Sequence, residues 1–173
     1  MKKGYLMKKL ALISTLFCFF STHSALAAEP ATPEEIFENV LKAVKVLQTL
    51  GAEGLAAFND PKGEFVWKDT YVQVYQCGAS KIVGHINPEL RQWTKEKFHT
   101  TVDKKGNPIP KMICDAAKKD RGDWIEYWWP KAGETVASRK ITFVLQVPGQ
   151  PYQVSAGIYD DNMTLEELRA ISE

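Results

Sequence analysis

"GDWIEYWWPKAGE", Gly122 to Glu134, holds three of the chain's five tryptophans and a tyrosine within six residues. A half-buried strand needs one apolar face, yet here large side chains alternate onto both. Read as a strand over Asp123–Trp129, the stretch puts Ile125, Tyr127 and Trp129 on one side and Trp124, Glu126 and Trp128 on the other. Either both faces are covered or one lines something concave.

Two further extended segments follow, Arg139 to Val147 and Tyr152 to Tyr159, with "PKAGE" and "PGQP" as their turns. Upstream, "FVW", Tyr71 to Gln76 and Lys81 to His85 are short extended runs, and "CGAS" is the hairpin turn between the last two. Before them, Thr32-Pro33-Glu34-Glu35 is a helix start: a threonine cap, proline at the first helical position and glutamate three residues after the cap. Ile36, Val40, Val44, Leu47, Gly51, Leu55 and Phe58 then keep helical spacing. The pattern predicts one long amphipathic helix to about Phe58. Asn87-Pro88 opens a helix through about Lys97, "DKKGNP" (Asp103 to Pro108) leads into another over Met112 to Ala117, and Thr164-Leu165-Glu166-Glu167 caps a short closing helix. Consecutive hairpins without a helix after every strand mean an antiparallel sheet, so the class is α+β. The expected architecture is a sheet of about five to six strands with a long N-terminal helix and helices on one face.

The first residues belong to targeting rather than to the fold. Lys2, Lys3, Lys8 and Lys9 precede an apolar run from Leu10 to Phe20, and "ALA", Ala25 to Ala27, has the small residues that signal peptidase requires. Residues 1–27 therefore read as a signal peptide, and 28–173 as one domain. The apolar run is well short of the roughly 20 residues that span a bilayer. The expected location is periplasmic, with no membrane insertion after processing. Of the 22 basic residues, four leave with the leader, against 21 acidic ones. That balance has the wrong sign for nucleic acid.

Cys77 and Cys114 are the cysteines outside the leader. In an oxidising compartment such a pair reads as a structural disulfide, worth up to about 4 kcal/mol in the chain-entropy model. A redox or metal role would need CxxC, CxxCH or HExxH, and the sequence has none, so no cofactor and no metal is expected. Catalysis finds equally little. Outside the leader the histidines are His85 and His99, neither near a nucleophile motif, and no serine lies in GxSxG. Asp160-Asp161 lacks the glycine-punctuated oxygen-rich loop of a calcium site. The reading is a binding protein and not an enzyme.

Five stretches in order, "AFNDPKGEFVWKDTYVQVY" (Ala57 to Tyr75), "INPEL" (Ile86 to Leu90), "DKKGNP", "GDWIEYWWPKAGE" and "RKITFVLQVPGQPYQVSAGIYDD" (Arg139 to Asp161), together resemble a single Cache domain of the second type. These are extracytoplasmic sensor domains with a PAS-like sheet and a small-molecule pocket. The resemblance implies that one face of the 123–129 strand packs on the N-terminal helix while the other faces the pocket. It assigns Tyr127 and Trp129 to the pocket, and Trp124 reads as core. His85, in Gly84-His85-Ile86, is displaced by one position from the histidine of the family's alanine-histidine-proline stretch. Arg91-Gln92-Trp93 replaces the usual isoleucine-glycine-lysine and brings a tryptophan to the pocket mouth.

Lys140 matches the family's lysine and shares a face with Thr142 and Val144. A lysine among apolar neighbours is costly unless paired, so it is either the counter-ion of a carboxylate ligand or a snorkelling strand-end residue. Tyr71 and Tyr75, with Gln73 between them, are either ligand contacts or cross-strand packing. The resulting expectation is a periplasmic module that binds or senses a small organic acid and signals through a separate partner, a membrane receptor or histidine kinase acting in trans. A cationic ligand held by the aromatics and Glu126 is the alternative chemistry. A ligand-free protein-interaction module is the alternative function.

Overall fold

In the computed structural model the described residues are 29–131 and 133–172. The expected leader lies outside them. Helix α1 (Pro33–Leu50) starts where its capping box predicts: Glu35 N–H donates to Thr32 Oγ1 at 3.3 Å, and Thr32 N–H donates back to Glu35 Oε2 at 2.9 Å. Its end differs from the expected Phe58. Gly51 has φ +54, outside the helical well, and the α-helix stops there. A tighter 3-10 segment, Gly51–Phe58, carries on and still buries Phe58, which is why the apolar spacing ran past the true end.

Strands β1 (Val66–Trp67) and β2 (Thr70–Tyr71) form a separate small hairpin. The main sheet contains β3 (Gln73–Gln76), β4 (Lys81–Gly84), β5 (Asp123–Pro130), β6 (Ala137–Gln146) and β7 (Gln153–Tyr159), in the order β4-β3-β7-β6-β5. Every neighbouring pair is antiparallel. The expected Tyr71–Gln76 strand is thus broken at Val72, whose N–H donates to Phe65 O beside the small hairpin.

The expected helix from Asn87 to Lys97 is two helices, α2 (Pro88–Arg91) and α3 (Lys95–Thr100). Thr94 ends the first segment by capping the second, accepting from Lys97 N–H at 3.1 Å. Helix α4 (Ile109–Ala116) begins three residues before the expected Met112, at Pro110 in its first turn. Helix α5 (Leu165–Ile171) has its predicted capping box.

Two apolar clusters lie on opposite faces of the sheet. On one face Ile36, Val40 and Leu47 of α1 and Leu168 of α5 pack over Trp124, Ile141, Phe143, Val154 and Ala156. On the other, Phe98 of α3 and Ile109 and Ile113 of α4 pack with Tyr75, Ile82, Tyr127 and Val144. The alternation read in β5 therefore holds. Trp124 is core beneath α1, Tyr127 faces the α3–α4 side, and Trp128 lies half-buried with Lys105 Nζ 3.3 Å from its ring centre. The grouping of helices on one face describes α2 to α4, while α5 joins α1.

Asp123 fastens α5 to the edge of the sheet. It is 7% exposed and accepts from Arg169 Nε at 2.8 Å and from Lys119 Nζ. Burial alone would raise its pKa, but these cations hold it below the usual value. Its contribution is therefore present above the unfolded value of 3.8 and is lost as pH falls below that. Asp123→Asn is expected to destabilise the fold by about 1–2 kcal/mol at pH 7, since both partners are largely solvated. Urea denaturation at pH 7 and pH 3 tests this: equal losses at the two pH values would contradict the assignment.

Candidate ligand pocket

The α2–α4 side of the sheet encloses a cavity. Its floor is Gln73 and Tyr75 of β3, Tyr127 and Trp129 of β5, and Lys140 of β6. Its cover comes from β4 and the helical segment after it, chiefly Ile82, Leu90, Trp93, Ile109 and Pro110. The cavity measures about 20 Å³, room for about one water. Beside it, sharing Leu90 and Trp129 as a wall, opens a second cavity of about 350 Å³ that includes Tyr71, His85 and Asn87.

Strand register explains the floor. Tyr127 and Lys140 are direct cross-strand partners, and Lys140 is opposite Tyr159 on its other side. Gly157, opposite Thr142, supplies the space: a Cβ there would lie 2.4 Å from Thr142 Oγ1 and 3.1 Å from Lys140 Cε. With the Ile141 carbonyl oxygen only 2.5 Å away as well, any larger residue would force β6 to shift beside the lysine.

Lys140 is 1% exposed. Its Nζ lies 5.0 Å from the ring centre of Tyr71 and 5.2 Å from that of Tyr159, within the range of cation–π attraction. Among the described residues it has no salt bridge and no hydrogen bond. Burial pulls its pKa from 10.5 to about 8, against a smaller upward push from Asp69. At neutral pH the site therefore holds an ammonium that, among the described residues, has no salt-bridge partner and feels only the weaker pull of Asp69. The snorkelling alternative does not describe it.

His85 is 2% exposed and stacks edge-on against Tyr71, ring centres 4.8 Å apart. Its Nδ1 accepts from Asn87 N–H at 2.8 Å, so the neutral ring carries its proton on Nε2. Among the described residues Nε2 is buried with no partner. Burial first, then the charges of Lys140 and Arg91, push the pKa from 6.5 to about 3. The ring is a neutral donor at any pH near 7.

Tyr127 accepts from Thr142 Oγ1 at 3.1 Å, and Tyr75 donates to Gln73 Oε1 at 3.0 Å. Burial holds Tyr71, Tyr75, Tyr127 and Tyr159 above the usual phenol value, so all four stay protonated. Glu126, the acid considered for a cationic ligand, is bound to Arg139 at 2.9 Å and is not on the floor of either cavity.

Of the residues singled out in the sequence, the structure brings Tyr75, Tyr127, Trp129 and Lys140 into the first cavity. It puts Tyr71 and His85 in the second, joined to the first through the Tyr71–Lys140 approach. Cys77 and Cys114 are bonded to each other. Sequence reasoning missed Tyr159 and Arg91. Tyr159 has a legible signal, since period-2 counting back from it passes through the small Gly157 and Ser155 on one face. Arg91, whose Nε is buried and unpartnered among the described residues, has none. Also among the described residues, no helix is long and apolar enough to cross a membrane, and no cluster of ligating side chains could hold a metal ion.

Comparison with solved structures finds the same fold in chemosensory domains. A Cache chemosensory domain studied for its recognition of carboxylic acids superposes with TM-score 0.60 at 20% identity, covering 74% of this chain and 92% of that one. A methyl-accepting chemotaxis protein from Vibrio parahaemolyticus gives 0.59 at 16% identity over 75% of this chain and 88% of that one. The periplasmic sensor domain of a chemotaxis protein gives 0.53 at 20% identity over 75% and 90%. No curated protein matches the chain. A family model described as a Cache domain matches residues 36–164, from the first turns of α1 to the cap of α5. The chain belongs to the Cache domain family.

Proposed function

We propose that this Cache domain binds a small organic acid outside the cytoplasm, with residues 1–27 as its export signal, and reports to a separate membrane receptor or histidine kinase. The observation that carries the reading is Lys140: an ammonium 1% exposed with no counter-ion among the described residues. An isolated buried charge is strongly disfavoured, and a ligand carboxylate supplies the missing partner. Tyr71 lines the adjoining cavity with His85, whose Nε2–H is buried and unpartnered among the described residues, as further donors for the second oxygen. Beneath the apolar cover, Tyr75, Tyr127 and Trp129 leave about 20 Å³, room for a methyl-sized carbon end, so a longer acid requires the cover to move outward. The carboxylic acid recognised by a Cache domain of the same fold supports this choice of ligand.

Thermal-shift screening of acetate, propionate, pyruvate and lactate, beside amino acids and quaternary amines, tests the class. Acids alone should raise the melting temperature. Stabilisation only by amines overturns the carboxylate reading, and no stabilisation by any of them favours a ligand-free interaction module.

The pH dependence follows from Lys140. Its pKa in the free protein is about 8, and a bound carboxylate raises it. Acid affinity should be flat below about pH 7.5 and fall toward roughly tenfold per pH unit above 8. His85, already neutral, should add no second inflection between pH 5 and 7. Calorimetric titration at several pH values checks both statements. Affinity rising through pH 8 to 9 would contradict them.

A further inference from the structure

The Cys77–Cys114 disulfide closes a span of 37 residues, and that span supplies one whole side of the pocket. Ile82, Leu90, Trp93, Thr101, Ile109 and Pro110 line the cavity from within it, while the other five lining residues belong to the sheet floor. The bridge also joins the two walls next to the cavity itself. Cys77 opens the 3-10 turn after β3 and packs against the same apolar cluster as Tyr75. Cys114 is one helical turn after Pro110 on α4, a spacing that keeps one helix face. Pinning the sulfurs therefore fixes Tyr75 against Pro110 across the pocket.

The cover is otherwise held by the β3–β4 ladder and by Phe98, Ile109 and Ile113 packed on the sheet. Helix α2 has four residues and α3 six, too short to be stable alone. The bond itself is reachable. Both cysteines are half-buried and line an open groove of about 490 Å³ together with His99, Lys111 and Lys118.

We infer that this disulfide is a strut for the pocket cover, so that thiol redox state sets how firmly the cover closes and thereby regulates ligand affinity. A dithiol reductant transfers two electrons and two protons: the S–S bond breaks, Cys77 and Cys114 become thiols, and the dithiol closes to its own disulfide. The cover then keeps its β3–β4 pairing and its apolar packing but loses the covalent link between the end of β3 and α4. By linkage, the factor by which oxidation tightens a ligand is the factor by which that ligand favours the oxidised bond. A tenfold effect on affinity corresponds to about 30 mV. The affinity part rests on the organic-acid reading; the structural part does not.

Hydrogen exchange by mass spectrometry tests it, on oxidised protein, on protein reduced with dithiothreitol, and on the C77S/C114S variant. Amides of residues 82–113 should accelerate at least tenfold more than those of α1 and β7, and the dissociation constant for propionate should rise about tenfold. Equal acceleration everywhere would make the bond a general staple and overturn the inference. Unchanged exchange in the cover would overturn it too. If propionate binds neither form, the choice of ligand fails, and the exchange pattern alone decides the strut. Reduction of the folded protein keeps the test alive if the double variant does not fold.

Discussion

Trp124→Ala is expected to destabilise the domain by about 3–5 kcal/mol, the range for truncating a large buried aromatic. Trp124 is fully buried in the cluster beneath α1, its ring centre 5.2 Å from that of Phe143, which in turn meets Phe37 of α1 edge-on at 5.1 Å. Removing the indole empties the middle of that stack, and the close-packed strands around it cannot collapse to fill the space. Trp124→Phe should behave differently. The Trp124 Nε1–H is buried without a partner among the described residues, and its loss removes an unsatisfied donor while most of the ring volume stays. A change within about 1 kcal/mol is expected for it. Urea denaturation of both variants measures this, and an alanine variant within 1 kcal/mol of the parent would mean that the sheet is not held as described. Because Trp124 faces away from the cavity, the phenylalanine variant should keep its ligand affinity.

The same strand shows how far a pattern can be read. Alternation alone separated Trp124 from Tyr127 and Trp129, because β5 is a regular strand paired along all its length with β6. The same regularity carried Lys140 to the position opposite Tyr127. Where the backbone leaves its ideal period, the reading failed. The spacing Leu47, Gly51, Leu55, Phe58 satisfies a helix of 3.6 residues per turn, and the 3-10 segment after Gly51 still buries its last residue, so nothing in the apolar pattern marked the end. Only a glycine at the boundary signalled it. Thr94, the cap of α3, is a weak signal in the sequence because the stronger Asn87-Pro88 start stands seven residues before it.

The polar part of the pocket was less legible than the apolar part, for a geometric reason. Tyr71 meets Lys140 and His85 because β2 pairs with β1 and the chain turns at Val72 before β3 begins. A continuous strand would have aligned Tyr71 with Tyr75 instead. The character of His85 depends on one backbone N–H, that of Asn87, which takes Nδ1 and leaves the proton on the buried Nε2. No residue pattern encodes which nitrogen a turn will occupy. Conversely, a lysine in the middle of an apolar strand is visible in any sequence. What the structure adds is that, among the described residues, two ring faces and the weaker pull of Asp69 relieve its charge only in part, with no ion pair.

That partly relieved charge gives Lys140→Met two expected effects of opposite sign. In the free protein the lysine pKa is about 8 against 10.5 for the unperturbed group, a difference equivalent to about 3 kcal/mol at 1.36 kcal/mol per unit. The unfolded chain binds the extra proton between those values, so stability rises with pH from about 8 to 10.5 and the full penalty is present at pH 7. Methionine fills nearly the same volume without a charge, and the ligand-free variant should be more stable at pH 7 by up to about 3 kcal/mol. Its stability should also lose the rise above pH 8. Acid binding should weaken by about 1.5–3 kcal/mol, the worth of a hydrogen bond to a charged group, or roughly ten- to hundredfold in affinity. Thermal denaturation from pH 6 to 10, with and without propionate, reads both effects in one series. A variant less stable than the parent would mean that Lys140 is a structural ion, satisfied inside the protein. A more stable variant that binds acids unchanged would mean that the carboxylate lies elsewhere. Only the pairing of higher stability with lost binding fits a cation kept unpaired until a ligand arrives.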